Sequence, residues 1–338
     1  MKAAVYKGNK QFGIEEIPTP TPGPGQVLIK VKYCAICGSD VHGFLYDVVT
    51  PGTVLGHEYC GTIAALGPGV SSWNEGDRVV GGGGMPPPSQ AGSSVADPRY
   101  NYRTMGFAAK RLRAYAEYVL MEEWEPVPVP TGVSDETAAL CEPCAVGVHA
   151  VRISQMRLGD SVAVLGGGPI GLFCIQAAKA AGAGAVFVSE PVPSRGQAAL
   201  DLGADALVDP MNEDAVSKMV SLTGGTGPQV VFDCAGAGST LDQALNMVTR
   251  QGQVVLVALA WEHISTLPVE WMGREVSLQA SFGTRTEDWR IALQLLQSGK
   301  ITVEPMLREA DFIPLDGIQQ AFEALAKPTN QLQMVVKP

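Results

Sequence analysis

The sequence lacks the features that mark several large classes of protein. It has no cluster of lysine or arginine and a formal net charge of −10. A nucleic acid or an anionic membrane surface needs a positive patch, so neither is an expected partner. No segment approaches the ~18 uninterrupted apolar residues of a membrane span. The opening MKAAVYKGNK lacks the apolar core of a signal peptide. These absences point to a soluble, cytoplasmic protein. The cysteines number seven, an odd count in 338 residues, which argues against a disulfide scaffold and for reduced thiols. Histidine is scarce, with four in the chain, so the placement of each carries information.

What is abundant is glycine and proline, 39 and 24 residues, and their distribution separates two patterns. From Met1 to about Leu120, short β-rich runs such as QVLIKVKYC, GTIAAL and DRVVGG alternate with turn clusters such as PTPTPGPGQ, which predicts an irregular antiparallel barrel. The stretch Gly81 to Tyr102 has no periodicity and reads as a long surface loop. From about Ser161 the pattern changes to apolar strands (SVAVL, AVFVS, QVVFD, GQVVLVAL) alternating with helical segments. That alternation predicts a parallel sheet covered on both faces. After Thr284 come two amphipathic segments, EDWRIALQLLQSG and LDGIQQAFEALA, and a last strand in QLQMVVKP. We assign this tail to the first domain, which is then discontinuous.

VLGGGPIG places Gly166, Gly168 and Gly171 in G-x-G-x-x-G spacing, after a strand and at the start of a helix. Pro169 and Ile170 complete that first turn. In a dinucleotide site the first glycine makes the tight turn, the second admits the pyrophosphate and the third packs helix on strand. The helix N-terminus offers free N–H groups to the phosphates. The next strand ends in Glu190, where a carboxylate can hold ribose hydroxyls and repel a 2′-phosphate, favouring NAD over NADP. Arg195 lies close enough in sequence to cover the adenine. The plainer alternatives are a glycine-rich turn and a solvated strand end.

VKYCAICGSDVHG holds Cys34 and Cys37, and CEPC holds Cys141 and Cys144. Two C-x-x-C pairs could form a structural zinc knuckle, a redox pair or a disulfide, or each could hold a ligand beside a bystander. A catalytic zinc takes thiolate, imidazole and carboxylate ligands and keeps one position open. The candidates for such a set are Cys37, the Gly-His-Glu run at Gly56–Glu58, and Cys141 to Cys144.

CAICGSDVHG, together with GHEYCGTIAALGPGV and GDRVV, resembles the zinc-dependent medium-chain alcohol dehydrogenases. EPCAV is similar to the third-ligand segment of their polyol, butanediol and threonine dehydrogenase branch. The resemblance implies an α/β protein. It would have a doubly wound parallel-sheet (Rossmann) dinucleotide domain and a discontinuous, β-rich GroES-like catalytic domain. Residues 1–148 and 285–338 would be catalytic and 149–284 would bind NAD. It implies Cys37, His57 and Glu142 as ligands of one catalytic zinc, with Glu58 either ligating or just outside the sphere. Cys34 becomes a buried bystander, although either thiol flanking Glu142 could replace it as ligand. Ser39 and His42 match the start and end of a proton relay, and Asp40 matches the carboxylate that orients the imidazole of His57. His149 reads as a satisfied helix histidine and His263 as a surface one. Many members carry a second zinc on four cysteines in the lobe after GDRVV. Gly81 to Arg113 contains no cysteine, so no structural zinc is expected.

The activity implied is hydride transfer between NAD and a secondary alcohol, polyol or hydroxy-amino compound. The partners would be a small-molecule alcohol or ketone and further copies of the chain, in a homodimer or homotetramer. Phe44, Tyr46 and residues near Phe282 are the expected pocket walls. The alternatives are a zinc-free reductase of the same superfamily and a non-catalytic dinucleotide-binding sensor. Ser39 and His42 separate enzyme from sensor, because a binding module needs no relay.

Overall fold

The computed structural model of the chain describes residues 1–82, 112–327 and 330–338. It consists of two units: Met1–Glu142 with Arg285–Gln297 and Leu307–Pro338, and Pro143–Thr284 with Ser298–Met306. The segment that reads as a surface lobe lies, from residue 83 to 111, outside the described residues.

In the first unit the alternating runs form β1 (Lys2–Gly8), β2 (Gln11–Glu16), β3 (Gln26–Ala35), β4 (Glu58–Leu66), β5 (Arg78–Val80), β6 (Tyr118–Glu122) and β7 (Val127–Pro128). β3 is the organising strand. It pairs antiparallel with β4 and with β6, and two register shifts against β4 bend it. Its last residue, Ala35, lies opposite Glu58, the first residue of β4. That register brings the turn after β3 beside the start of β4, so residues twenty apart in sequence share one corner of the sheet. Helix α1 (Gly38–Leu45) starts in that corner. Phe44 on α1 stacks on Phe12 at 5.8 Å between centroids and meets Phe322 at 5.4 Å and Tyr6 at 6.5 Å. Burying such a ring fixes the helix, and truncating one costs roughly 3–5 kcal/mol. Phe44 is only 3% exposed, so it belongs to the core. This corrects its expected place on a substrate pocket: at helical spacing it faces inward with Val41.

The second unit begins within helix α2 (Cys141–Ile153), on which His149 is buried. It contains β8 (Ser161–Leu165), β9 (Ala185–Ser189), β10 (Ala206–Val208), β11 (Val230–Asp233), β12 (Gln253–Leu256) and β13 (Ser277–Ala280), with α3 (Pro169–Ala180) following β8. All neighbouring pairs are parallel, in the order β10-β9-β8-β11-β12-β13. Counted from β8, that is the doubly wound 3-2-1-4-5-6 order, in which ligands bind at the carboxyl ends of the strands where the winding reverses. Val162 to Leu165 are buried throughout, as a strand covered on both faces requires. One side of the core gathers Leu165, Phe187, Val208, Met219, Val231 and Leu245.

The tail adds helices Thr286–Gln297 and Ile318–Leu325 and the strands β14 (Phe312–Pro314) and β15 (Val335–Lys337). β15 pairs antiparallel with Cys34 and Ala35 of β3, and β14 runs parallel on its other side. The end of the chain therefore closes on the same corner as α1. Among the described residues no helix is long and apolar enough to cross a membrane, and all seven cysteines are free thiols.

Candidate metal centre and dinucleotide loop

The corner between β3, β4 and α1 concentrates ionisable side chains. Cys37 is the N-cap of α1, and its sulfur accepts from the backbone N–H of Ser39 at 3.4 Å and from the Ser39 hydroxyl at 3.2 Å. Ligand atoms of Cys37, His57 and Glu58 lie within 4.8 Å of one another. Asp40, in the first turn of α1 and 2% exposed, faces His57 Nδ1 at 3.5 Å through Oδ1. Its Oδ2 accepts the Tyr115 hydroxyl at 2.8 Å. On the other side Glu58, 2% exposed, accepts at Oε2 from the Gln333 amide at 3.0 Å. Cys34 is fully buried on β3, with its sulfur on the Ala35 carbonyl.

Glu142 stands in the first turn of α2. It is not among the three residues whose ligand atoms fall within 4.8 Å, yet its charge acts on both Cys37 and Glu58. Cys141 points elsewhere, its sulfur near the Trp289 carbonyl. Cys144 lies in the second unit and feels Cys174.

The electrostatics of this corner call for a cation. Burial, and then the neighbouring Glu142 charge, push the Glu58 carboxyl up to about 8. Burial raises Glu142 as well, and burial followed by the Glu58 charge pushes the Cys37 thiol up to about 12. Burial alone would lower His57, but Asp40 and Cys37 outweigh it and hold the imidazole well above its usual value. Asp40 is displaced the opposite way. Burial works to raise it, and the charge and hydrogen bond of His57 with the Tyr115 bond bring it below the usual carboxylate range. A thiol, an imidazole and two carboxyl groups crowded out of water suit a zinc ion, which would balance the negative charge that burial disfavours.

Ser39 and His42 sit three residues apart on α1, on one face of the helix. Burial lowers the His42 imidazole below its ordinary value, which favours its neutral form. Tyr46, the C-cap of α1, and Phe282 in the second unit are both exposed, and so is His263.

In the second unit, Gly166 has φ +97°, a backbone conformation open to glycine. A Cβ on Gly171 would lie 1.9 Å from the Gly166 carbonyl oxygen, so only glycine lets α3 pack this closely on the turn. A Cβ on Gly168 would meet nothing within 4 Å. Gly168 caps α3 without a side-chain bond, with Pro169 in the first turn. Open space in front of a helix N-terminus is what a pyrophosphate needs, so the loop fits a dinucleotide. Glu190 follows β9 and is buried. Its Oε2 accepts from Gly167 N at 2.6 Å and its Oε1 from Val192 N at 2.8 Å. Arg195 lies in the first turn of the helix Pro193–Asp201. Tyr115, Gln331 and Gln333 were not marked by the sequence: none stands in a motif, and Tyr115 and Gln333 reach their partners across 75 and 275 residues.

The comparisons with known proteins agree with this picture. Residues 23–131 match the alcohol dehydrogenase GroES-like domain and residues 169–298 match the zinc-binding dehydrogenase model. The chain is 34% identical to the (R,R)-butanediol dehydrogenase of Bacillus subtilis, covering 100% of both. It is also 34% identical to a sorbitol dehydrogenase of Halalkalibacterium halodurans, covering 91% of each. The crystal structure of 2R,3R-butanediol dehydrogenase from Bacillus subtilis superposes with a TM-score of 0.87 at 33% identity, covering 100% of this chain and 99% of that one. The chain belongs to the zinc-dependent medium-chain alcohol dehydrogenase family. It is accordingly an oxidoreductase of CH–OH groups that works with zinc and a nicotinamide dinucleotide.

Proposed function

We propose that Cys37, His57 and Glu58, with Glu142 beside them, hold one catalytic zinc in the first unit. The loop from Gly166 to Gly171 and Glu190 in the second unit hold NAD, in preference to NADP. The substrate class is secondary alcohols, polyols or hydroxy-amino compounds. The single observation that carries the reading is the convergence of a thiol, an imidazole and a carboxyl within 4.8 Å, at the positions the family motif marks.

Zinc, when bound, supplies the Lewis acidity that lowers the pKa of an alcohol. The side chains do the rest. Asp40, 3.5 Å from His57 Nδ1, would orient the ring and leave its other nitrogen for a cation. The Ser39 hydroxyl, which donates to the Cys37 sulfur at 3.2 Å, would take the substrate proton while giving up its own toward His42. His42, one turn along α1, accepts it at the far end of the path as a neutral base. Glu190, pinned by Gly167 and Val192, presents its carboxylate at the end of β9 to a ribose and repels a 2′-phosphate.

A homodimer or homotetramer is part of the proposal. β13 is an edge strand of its sheet with Leu278 exposed, and Leu267, Val269 and Met272 are exposed just before it in the chain. An unpaired edge with apolar surface suits a second copy. A reducing, cytoplasmic setting fits the seven free thiols.

The test is reduction of NAD by the purified protein with a panel of diols, polyols, amino alcohols and simple secondary alcohols. Turnover that requires zinc supports the reading. Tight NAD binding without turnover on the whole panel would favour a sensor.

A further inference from the structure

We propose that Gln333 is a positioning residue of the metal centre, fixing the Glu58 carboxylate so that one of its oxygens stays directed to the cation. This rests on the metal reading above. Its motive is a contact between two buried groups: Gln333 Nε2 donates to Glu58 Oε2 at 3.0 Å, with Gln333 4% exposed. A carboxyl group has two oxygens. Committing Oε2 to the amide leaves Oε1 for the pocket in which Cys37 and His57 converge.

The backbone from Gln333 onward is held at three points. The Gln333 carbonyl accepts the Gln331 amide at 2.8 Å, and the same Gln331 nitrogen reaches Asp311 Oδ1 at 2.6 Å. Asp311 is buried and closed by Arg308, through its backbone N–H at 2.8 Å, Nε at 3.2 Å and Nη2 at 3.0 Å. The neighbouring Met334 carbonyl accepts from Ile36 N at 2.9 Å, and β15 pairs with Cys34 and Ala35. The segment 333–336 therefore braces two parts of the ligand set at once. Its backbone holds the residues leading into Cys37, and its one buried amide holds Glu58. The choice of residue follows from charge. A neutral amide orients the carboxylate without neutralising it, whereas a lysine or arginine there would compete with the cation for the same negative charge. Partners one step removed from a metal's own ligands change affinity by about 10–100-fold when lost.

The experiment compares the zinc-loaded wild type with Gln333→Met, which keeps length and volume and removes the donor. Zinc release is followed with an excess of the metallochromic chelator 4-(2-pyridylazo)resorcinol. Release should be about tenfold faster or more in the variant. Glu58→Ala, which removes the acceptor, and the double variant complete a cycle. Because Gln333 acts through Glu58, Gln333→Met should add nothing to release in the Glu58→Ala background. Gln333→Ala, which leaves room for a water, serves if the methionine variant does not fold. Release at the wild-type rate from the single variant overturns the inference, and so do fully additive effects in the cycle, since both would make Gln333 a packing residue. A wild type that neither carries nor takes up zinc overturns the metal reading and this inference together. Equal retention by wild type and variant overturns this inference alone.

Discussion

Replacing Asp40 by asparagine isolates what one buried charge contributes to the metal centre. The carboxylate faces His57 Nδ1 at 3.5 Å and accepts the Tyr115 hydroxyl at 2.8 Å. Asparagine keeps the shape and can still accept from Tyr115, but the negative charge behind the imidazole is gone. Losing such a partner lowers metal affinity by about 10–100-fold, or about 1.4–2.8 kcal/mol. Asp40→Ala makes the same loss and also takes the acceptor from Tyr115. A buried hydroxyl left without a partner costs about 1–3 kcal/mol. The Ala35 carbonyl, 3.4 Å from that hydroxyl, is a weak substitute, so the lower half of that range is expected. Two assays separate the effects: a zinc competition titration against a chelator, and urea unfolding of the two zinc-free variants at one pH. Both variants should bind zinc equally weakly, and alanine should be the less stable. An Asp40→Asn protein that holds zinc within about twofold of the wild type would refute the reasoning.

Gly168→Ala should fold normally, because its Cβ meets nothing within 4 Å, at a cost of about 0.5–1 kcal/mol for an alanine at the helix N-cap. It should nevertheless weaken NAD in a calorimetric titration by about tenfold or more, since the methyl occupies the pyrophosphate's space; unchanged NAD affinity would place the cofactor elsewhere. Glu190→Ser releases the Gly167 and Val192 N–H groups and removes a repulsive charge. The ratio of kcat/KM for NADP to that for NAD should rise, and a constant ratio would show that Glu190 does not face the ribose. His42→Ala should leave zinc content unchanged and depress alcohol oxidation most below neutral pH. The base works unprotonated, and burial lowers its pKa, so the wild type should keep its activity to a pH below the ordinary imidazole range. An identical pH–rate profile in the variant would remove His42 from the relay.

How much of this was legible in the sequence follows from the range of the interactions. β8, β9 and β11 could be read because strands buried on both faces are continuous apolar runs, and the turn after β8 because its glycines meet local steric needs. The pairing of Cys37 with His57 came from the resemblance, and physically it depends on the register that sets Ala35 against Glu58. β14, three residues long, carries too little pattern to be recognised. Gln333 was invisible for a different reason. Its partner lies 275 residues away, and a glutamine in a polar tail looks like any solvated side chain until β15 buries it. Tyr115 meets Asp40 across 75 residues and was hidden in the same way. Phe44 misled because an aromatic near a catalytic motif suggests a pocket, while the ring closes the aromatic core under α1.

The most direct test of the central claim is elemental analysis of the purified protein beside its Cys37→Ala and Cys34→Ala variants. The account predicts about one zinc per chain in the wild type and in Cys34→Ala, and essentially none, with no turnover, in Cys37→Ala. Two zinc ions per chain after stripping and reconstitution, or zinc retained without Cys37 and lost without Cys34, would contradict it.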